Sequence, residues 1–182
     1  MKIKLLILDI DGVMTDGTKV YDKDHNVLSK RFMCKDFTAI KRFIAAGVKV
    51  VLLSGDSWNR RMAEKRQLPF YCTRDDDLSL DKSKYVSRFE EEFGVNRNEM
   101  AFVGDDYFDK TMFDALNVTF APADAPKCIK NYARHVLDAK GGEGVIVEMY
   151  DKFIEYGYIT MHASMNEVLA LDAKELTSAE MK

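Results

Sequence analysis

The chain has 182 residues, 47% of them hydrophobic, and a formal net charge of −3; this suits one domain with a sizeable core. The slightly acidic balance lacks the basic footprint of a nucleic-acid or membrane-surface protein, and no apolar run reaches the length of a membrane span or a signal-peptide core. Cys34, Cys72 and Cys128 are odd in number and far apart, which excludes a disulfide scaffold or zinc site and predicts free thiols in a cytoplasmic protein.

In chain order, residues 5–10 read as an apolar strand. Residues 18–21 and 27–32 flank the polar turn 22–26 and predict a β-hairpin. Asp36 is placed as the N-cap of a helix through Ala46, closed by Gly47. Residues 48–53 are continuously apolar, as in a strand buried on both faces. Helices are predicted over 57–67 and 81–93, with Gly94 ending the second, and a short capped turn over 96–99. A buried strand over 100–103, a helix over 106–116, a strand over 118–120, a short helix over 126–132, a last strand over 135–137 and a helix over 144–156 follow. The segment from Thr160 has helical spacing and a polar end. Arg60-Arg61, the densest basic pair, reads as an exposed helix face. Strands alternating with helices predict an α/β domain with a mainly parallel sheet, whose site lies beyond the carboxyl ends of the strands.

Polar residues cluster at those ends. Asp9-Ile10-Asp11-Gly12 closes the first strand, Ser54-Gly55-Asp56 follows the second apolar run, and Gly104-Asp105-Asp106 with Asp109 follows the third. Lys82 opens the helix between the last two. Two carboxylates at one strand end repel unless a cation lies between them, and a hard divalent ion such as Mg²⁺ takes oxygen ligands. Such a site can draw a dianionic phosphate toward an aspartate. Ser54 and backbone N–H groups near Gly12 can donate to its oxygens, with Lys82 adding a cation. An aspartate can then act as nucleophile, and a second acid can protonate the leaving alcohol and activate water.

This ordered set resembles the haloacid dehalogenase superfamily of phosphotransferases. The resemblance implies Asp9 as nucleophile and Asp11 as general acid and base. It implies metal ligation by Asp9, the backbone carbonyl of Asp11, and Asp105, with Asp106 and Asp109 in support. Ser54, Gly55 and Lys82 would hold the phosphate. Asp9-Ile10-Asp11-Gly12-Val13, Thr15-Asp16-Gly17, the hairpin, Val103-Gly104-Asp105-Asp106, Ala123-Asp124-Ala125 and Gly141-Gly142-Glu143-Gly144-Val145 resemble one branch of it. That branch contains the 3-deoxy-D-manno-octulosonate 8-phosphate phosphatases and relatives acting on nonulosonate 9-phosphates. It implies an α/β, three-layer Rossmann-like domain with a hairpin flap over about 18–32 and no large cap. It also implies a Mg²⁺-dependent, cytoplasmic homotetramer whose flap reaches a neighbouring subunit. The core is placed at 1–158, with a C-terminal helical extension or tail at 159–182.

The chain departs from the branch at Asp56, where arginine or glutamate is usual, and at Phe37, where glycine or serine is usual. Residues 71–77 replace the usual Gln-Gly turn, which makes Lys84 a rival to Lys82, and their acidic run 75–77 reads as a solvated loop. Three alternatives stand beside this reading: the same chemistry on another sugar phosphate or nucleotide, a non-enzymatic phospho-receiver, and a catalytically quiet assembly subunit.

Overall fold

Strands that are apolar on both faces must be buried between two helical layers. The computed structural model, which describes residues 2–75, 80–160 and 162–180 with side chains through 175, has that arrangement. In chain order the elements are β1 (Leu5–Leu8), the hairpin strands β2 (Val20–Tyr21) and β3 (Val27–Ser29), α1 (Cys34–Ala45), β4 (Lys49–Ser54), α2 (Arg60–Lys65), β5 (Phe70–Cys72), α3 (Tyr85–Phe93), β6 (Met100–Val103), α4 (Lys110–Ala115), β7 (Val118–Ala121), α5 (Lys127–Lys130), β8 (His135–Val136), α6 (Val145–Glu155) and α7 (Met165–Glu180). Six strands form one sheet in the order β5-β4-β1-β6-β7-β8, every neighbouring pair parallel. The chain winds outward from β1 to β5, then returns to the other side of β1. This reversal opens a crevice at the carboxyl ends of β1 and β6, the position favoured for ligands in such sheets. A phospho-receiver of the chemotaxis type has a different strand order, so the topology argues against that alternative.

Alternate residues of each strand face opposite layers. Leu6, Leu8, Val50, Leu52, Ala101 and Val103 pack on one side with Phe43 of α1 and Tyr150 and Phe153 of α6. Phe43 meets both of those rings edge-on, a favoured aromatic geometry. Leu5, Ile7, Val51, Leu53, Met100 and Phe102 pack on the other side with Val86, Phe89 and Phe113.

Several elements differ from expectation. Strand β5 leaves no signal in the sequence: three residues carry too little periodicity to read, yet they pair in register with Leu52, Leu53 and Ser54. Strand β1 stops at Leu8 because the chain turns at once, with Val13, Met14 and Thr15 all donating backbone N–H to the Ile10 carbonyl. The helices expected over 57–67 and 81–93 each begin with a 3-10 turn, Ser57–Asn59 and Lys82–Lys84. Asp36 does not cap its own helix, which starts two residues earlier. It is buried, and its Oδ1 accepts the backbone N–H of Ile146 (2.9 Å) and Val147 (3.2 Å) in the first turn of α6. A capping carboxylate thus ties two helices distant in sequence.

The C-terminal segment is helical and docked. Lys41 of α1 pairs with Asp172 and Glu175, Arg66 with Glu175, and Gln67 Nε2 donates to the Lys174 carbonyl. Among the described residues no helix is long and apolar enough to cross a membrane.

Candidate active site

Parallel strands deliver their carboxyl ends to one edge, so residues far apart in sequence meet there. Asp9 and Asp11 beyond β1, Ser54, Gly55 and Asp56 at the end of β4, Thr73 and Arg74 after β5, and Asp106 and Asp109 after β6 line one cleft with Lys82 and Lys19. Lys82, not its rival Lys84, is the lysine that enters it: Lys84 is exposed, whereas Lys82 is 4% exposed.

Asp9, Asp105 and Asp109 each place a carboxylate oxygen within 4.8 Å of the others. One ammonium serves this cluster. Lys82 Nζ lies 2.7 Å from Asp9 Oδ1 and 2.5 Å from Asp109 Oδ1. The other Asp109 oxygen accepts the backbone N–H of Asp105 (2.9 Å) and Asp106 (3.1 Å), locking the loop after β6. Asp105 Oδ1 is buried and accepts no hydrogen bond among the described residues, which is costly for a carboxylate. The electrostatics follow. Burial, offset in part by Lys82 and reinforced by Asp109, pushes the Asp9 carboxyl up to about 7. Burial and the charges of Asp9 and Asp109 push Asp105 up to about 8. Burial alone would lower the Lys82 pKa, but Asp109 and Asp9 override it and hold the ammonium above its ordinary value. The cluster therefore holds more negative charge than its lysine balances. An orphaned carboxylate oxygen within an all-oxygen donor set fits a hard divalent cation.

Backbone shape brings the carboxylates this close. Gly12 has φ +86°, and a Cβ there would lie 2.0 Å from Asp105 Oδ2. Gly141, far along the chain, passes so near this turn that a Cβ on it would lie 2.2 Å from the Gly12 carbonyl oxygen. Asp124 accepts the Gly141 N–H at 3.0 Å, and Gly142 N–H donates to the Val13 carbonyl at 2.9 Å. The late glycine run is thus a backbone buttress for the loop carrying Asp9 and Asp11.

The Asp11 side chain stands apart from the carboxylate cluster. Lys30 Nζ contacts its Oδ1 at 2.6 Å and Asn59 Nδ2 its Oδ2 at 3.0 Å. Lys30 also reaches Asp56 (2.9 Å) and Asn59 (3.0 Å), and Lys19 pairs with Asp56 at 2.7 Å. Although burial opposes it, hydrogen bonds from both lysines hold the Asp56 carboxyl well below the usual carboxylate range. No sequence motif singles out Lys30 or Asn59. Lys30 is one of several hairpin lysines, and only the fold buries its side chain completely. Ser54 is buried and accepts from Asp56 N–H (3.1 Å) and Asn59 Nδ2 (3.2 Å), so its own proton stays available for donation. Asp106 is exposed and accepts the Tyr107 N–H at 2.6 Å as the cap of the following turn. In the acidic run, Asp75 pairs with Arg60 at 2.6 Å; Asp76 and Asp77 lie outside the described residues.

The chain is similar to several known proteins. Residues 77–149 match the family model for haloacid dehalogenase-like hydrolases. The chain is 36% identical over 156 residues to the 3-deoxy-D-manno-octulosonate 8-phosphate phosphatase of Haemophilus influenzae, covering 84% of this chain and 83% of the relative. It is 28% identical to the Escherichia coli enzyme of the same name over 149 residues, covering 82% and 78%. The solved cobalt-bound form of the Haemophilus influenzae phosphatase superposes with a TM-score of 0.76 at 34% identity, covering 85% of this chain and 88% of that one.

Proposed function

This chain belongs to the haloacid dehalogenase-like hydrolases, in the branch of the 3-deoxy-D-manno-octulosonate 8-phosphate phosphatases, and from that premise we propose a substrate class and a division of labour for its phosphatase chemistry. It hydrolyses the phosphomonoester of a 3-deoxy-2-keto sugar acid, an octulosonate 8-phosphate or a nonulosonate 9-phosphate. The observation that carries the proposal is the clustering of Asp9, Asp105 and Asp109 at the β1/β6 switch point, with the buried Lys82 bridging Asp9 and Asp109.

Asp9 is the nucleophile. Its carboxylate attacks phosphorus, the bond to the alkoxide oxygen breaks in line, and the alcohol leaves with a proton from Asp11. Water, deprotonated by Asp11, then attacks the phosphorus of the aspartyl phosphate and regenerates Asp9 with release of inorganic phosphate. Lys82 orients Asp9 and neutralises phosphoryl charge, while Ser54 and the Gly55 backbone N–H donate to the equatorial oxygens. Asp9, Asp105 and the backbone carbonyl of Asp11 would hold Mg²⁺, with Asp106 and Asp109 in support. The bound cation supplies positive charge that keeps neighbouring carboxylates ionised and attracts the phosphate dianion. For Asp11 to exchange protons, it exchanges its contacts with Lys30 and Asn59.

The working unit is a cytoplasmic homotetramer. The exposed Val20, Tyr21 and Leu28 of the hairpin support a neighbouring subunit there. Residues 1–158 form the phosphatase core, with 159–182 as a C-terminal helical extension or tail. The test is phosphate release from a panel of sugar-acid, sugar and nucleotide monophosphates, in Mg²⁺ and in EDTA. Mg²⁺-dependent turnover preferring a sugar-acid phosphate, abolished in folded Asp9→Asn, is the expected result. Preference for neutral phosphates overturns the substrate class, and full activity of Asp9→Asn overturns the mechanism.

A further inference from the structure

Among the described residues, the cleft carries one basic residue whose charge no carboxylate answers. Lys82 serves Asp9 and Asp109, and Lys19 serves Asp56. Arg74 also lines the cleft, is exposed, and makes no hydrogen bond or ion pair among the described residues. The adjacent Asp75 is turned away by its pair with Arg60 of α2. Thr73, the residue before Arg74, is buried and donates its backbone N–H to the Ser54 carbonyl at 3.0 Å. The base of Arg74 is therefore fixed to the strand end that carries Ser54. Its Nε lies 3.9 Å from where a Gly55 side chain would begin, so the guanidinium leans over the Ser54-Gly55 turn.

Position sets what this cation can read. Strand β5 is two places from β1 in the sheet. Neighbouring strands lie about 4.8 Å apart, which puts the β5 end about 10 Å from the β1 end that carries Asp9. A phosphate at Asp9 leaves room for a sugar body before a second group meets Arg74. Phe108, 58% exposed, lines the same cleft from the β6 side and offers that body an apolar wall. Arginine presents a planar fork of donors matched to a carboxylate. We infer that Arg74 is a specificity residue that binds a carboxylate on the far end of the phosphomonoester substrate. The inference rests on the phosphatase reading above and deepens it. It makes Arg74, two residues beyond β5, rather than the metal cluster, the part that distinguishes acidic from neutral sugar phosphates.

A matched pair of substrates tests it. Phosphate release is measured from 6-phosphogluconate and sorbitol 6-phosphate, which differ in a carboxylate against a hydroxymethyl group at the end remote from phosphate. The unsubstituted protein prefers 6-phosphogluconate in kcat/KM. Arg74→Ala lowers that preference about tenfold, the scale of one hydrogen bond to a charged group, and the loss lies in KM rather than kcat. Arg74→Lys restores part of it by keeping the charge without the fork. An unchanged preference in Arg74→Ala, or an equal loss on both substrates, overturns the proposal; the latter assigns Arg74 to the phosphate or to the loop's structure. Sorbitol 6-phosphate turnover reports the phosphatase chemistry by itself. Its absence, together with absence of all other turnover, strikes the underlying reading rather than Arg74.

Discussion

Replacing Lys82 by methionine is the most direct perturbation of this site, because one buried ammonium bridges two buried carboxylates, Asp9 and Asp109, beside a third, Asp105. Methionine fills a similar volume without charge. Lys82, Asp9 and Asp109 are 4%, 6% and 1% exposed, so solvent screens little of the interaction. Breaking a buried pair by deleting one partner costs about 3–5 kcal/mol, since the remaining charge is left uncompensated. For a domain of this size each kcal/mol lowers Tm by about 2–4 °C, so a fall of about 6–20 °C follows. The assay is thermal unfolding by circular dichroism in EDTA at pH 7.5 and fixed protein concentration. Mg²⁺ should return part of the lost Tm, because a cation among the carboxylates offsets the missing lysine. Lys82→Arg should keep most of the stability. Phosphatase activity of Lys82→Met should fall about 10²–10³-fold, as for loss of one preorganised charge-stabilising donor. A Tm within about 2 °C of the parent in EDTA, a change worth no more than about 1 kcal/mol, refutes the reasoning: the lysine would then not be holding the cluster together.

The metal-free protein should lose stability as pH rises. Asp9 and Asp105 have folded pKa values near 7 and 8 against about 3.8 unfolded, so the folded state binds more protons between these limits. Stability in EDTA therefore falls from pH 5 to pH 8.5, and the Mg²⁺-induced rise in Tm grows over the same range; a flat EDTA profile contradicts this. Gly12→Ala places a Cβ 2.0 Å from Asp105 Oδ2 at a positive φ, and it should abolish Mg²⁺ binding by calorimetry as well as turnover. Asp36→Ala should cost about 1–2 kcal/mol in urea unfolding by uncapping α6. Asp36→Asn keeps the acceptor and should nearly match the parent. Burial lifts the Asp36 pKa to about 6, so the parent loses stability as pH rises toward 6 and Asp36→Asn lacks that dependence.

Much of the architecture was legible because it depends on local pattern and chain direction. Continuous apolar runs such as 48–53 and 100–103 have no polar face to give to water, so they had to become central strands of a two-sided sheet. Parallel pairing then sends every strand's following residues to the same edge. That is why Asp9, Ser54 and Asp105, separated by dozens of residues, could be grouped before any contact was known. Other features depend on packing between distant segments, which leaves no periodic trace. Strand β5 is three residues long and is held by register with β4. Lys82 and Lys84 are equivalent in composition and separated by two positions of a 3-10 turn, so the docking of that turn selects which one is buried against Asp9. Asp36 stands where a cap of its own helix belongs, but the helix begins earlier and the carboxylate serves α6 instead. Lys30 reaches Asp11 only because the hairpin folds back over the strand end. The acids could be placed from the sequence, since strand direction positions them; their countercharges sit on long side chains in loops, and only tertiary packing decides which of those lose their water.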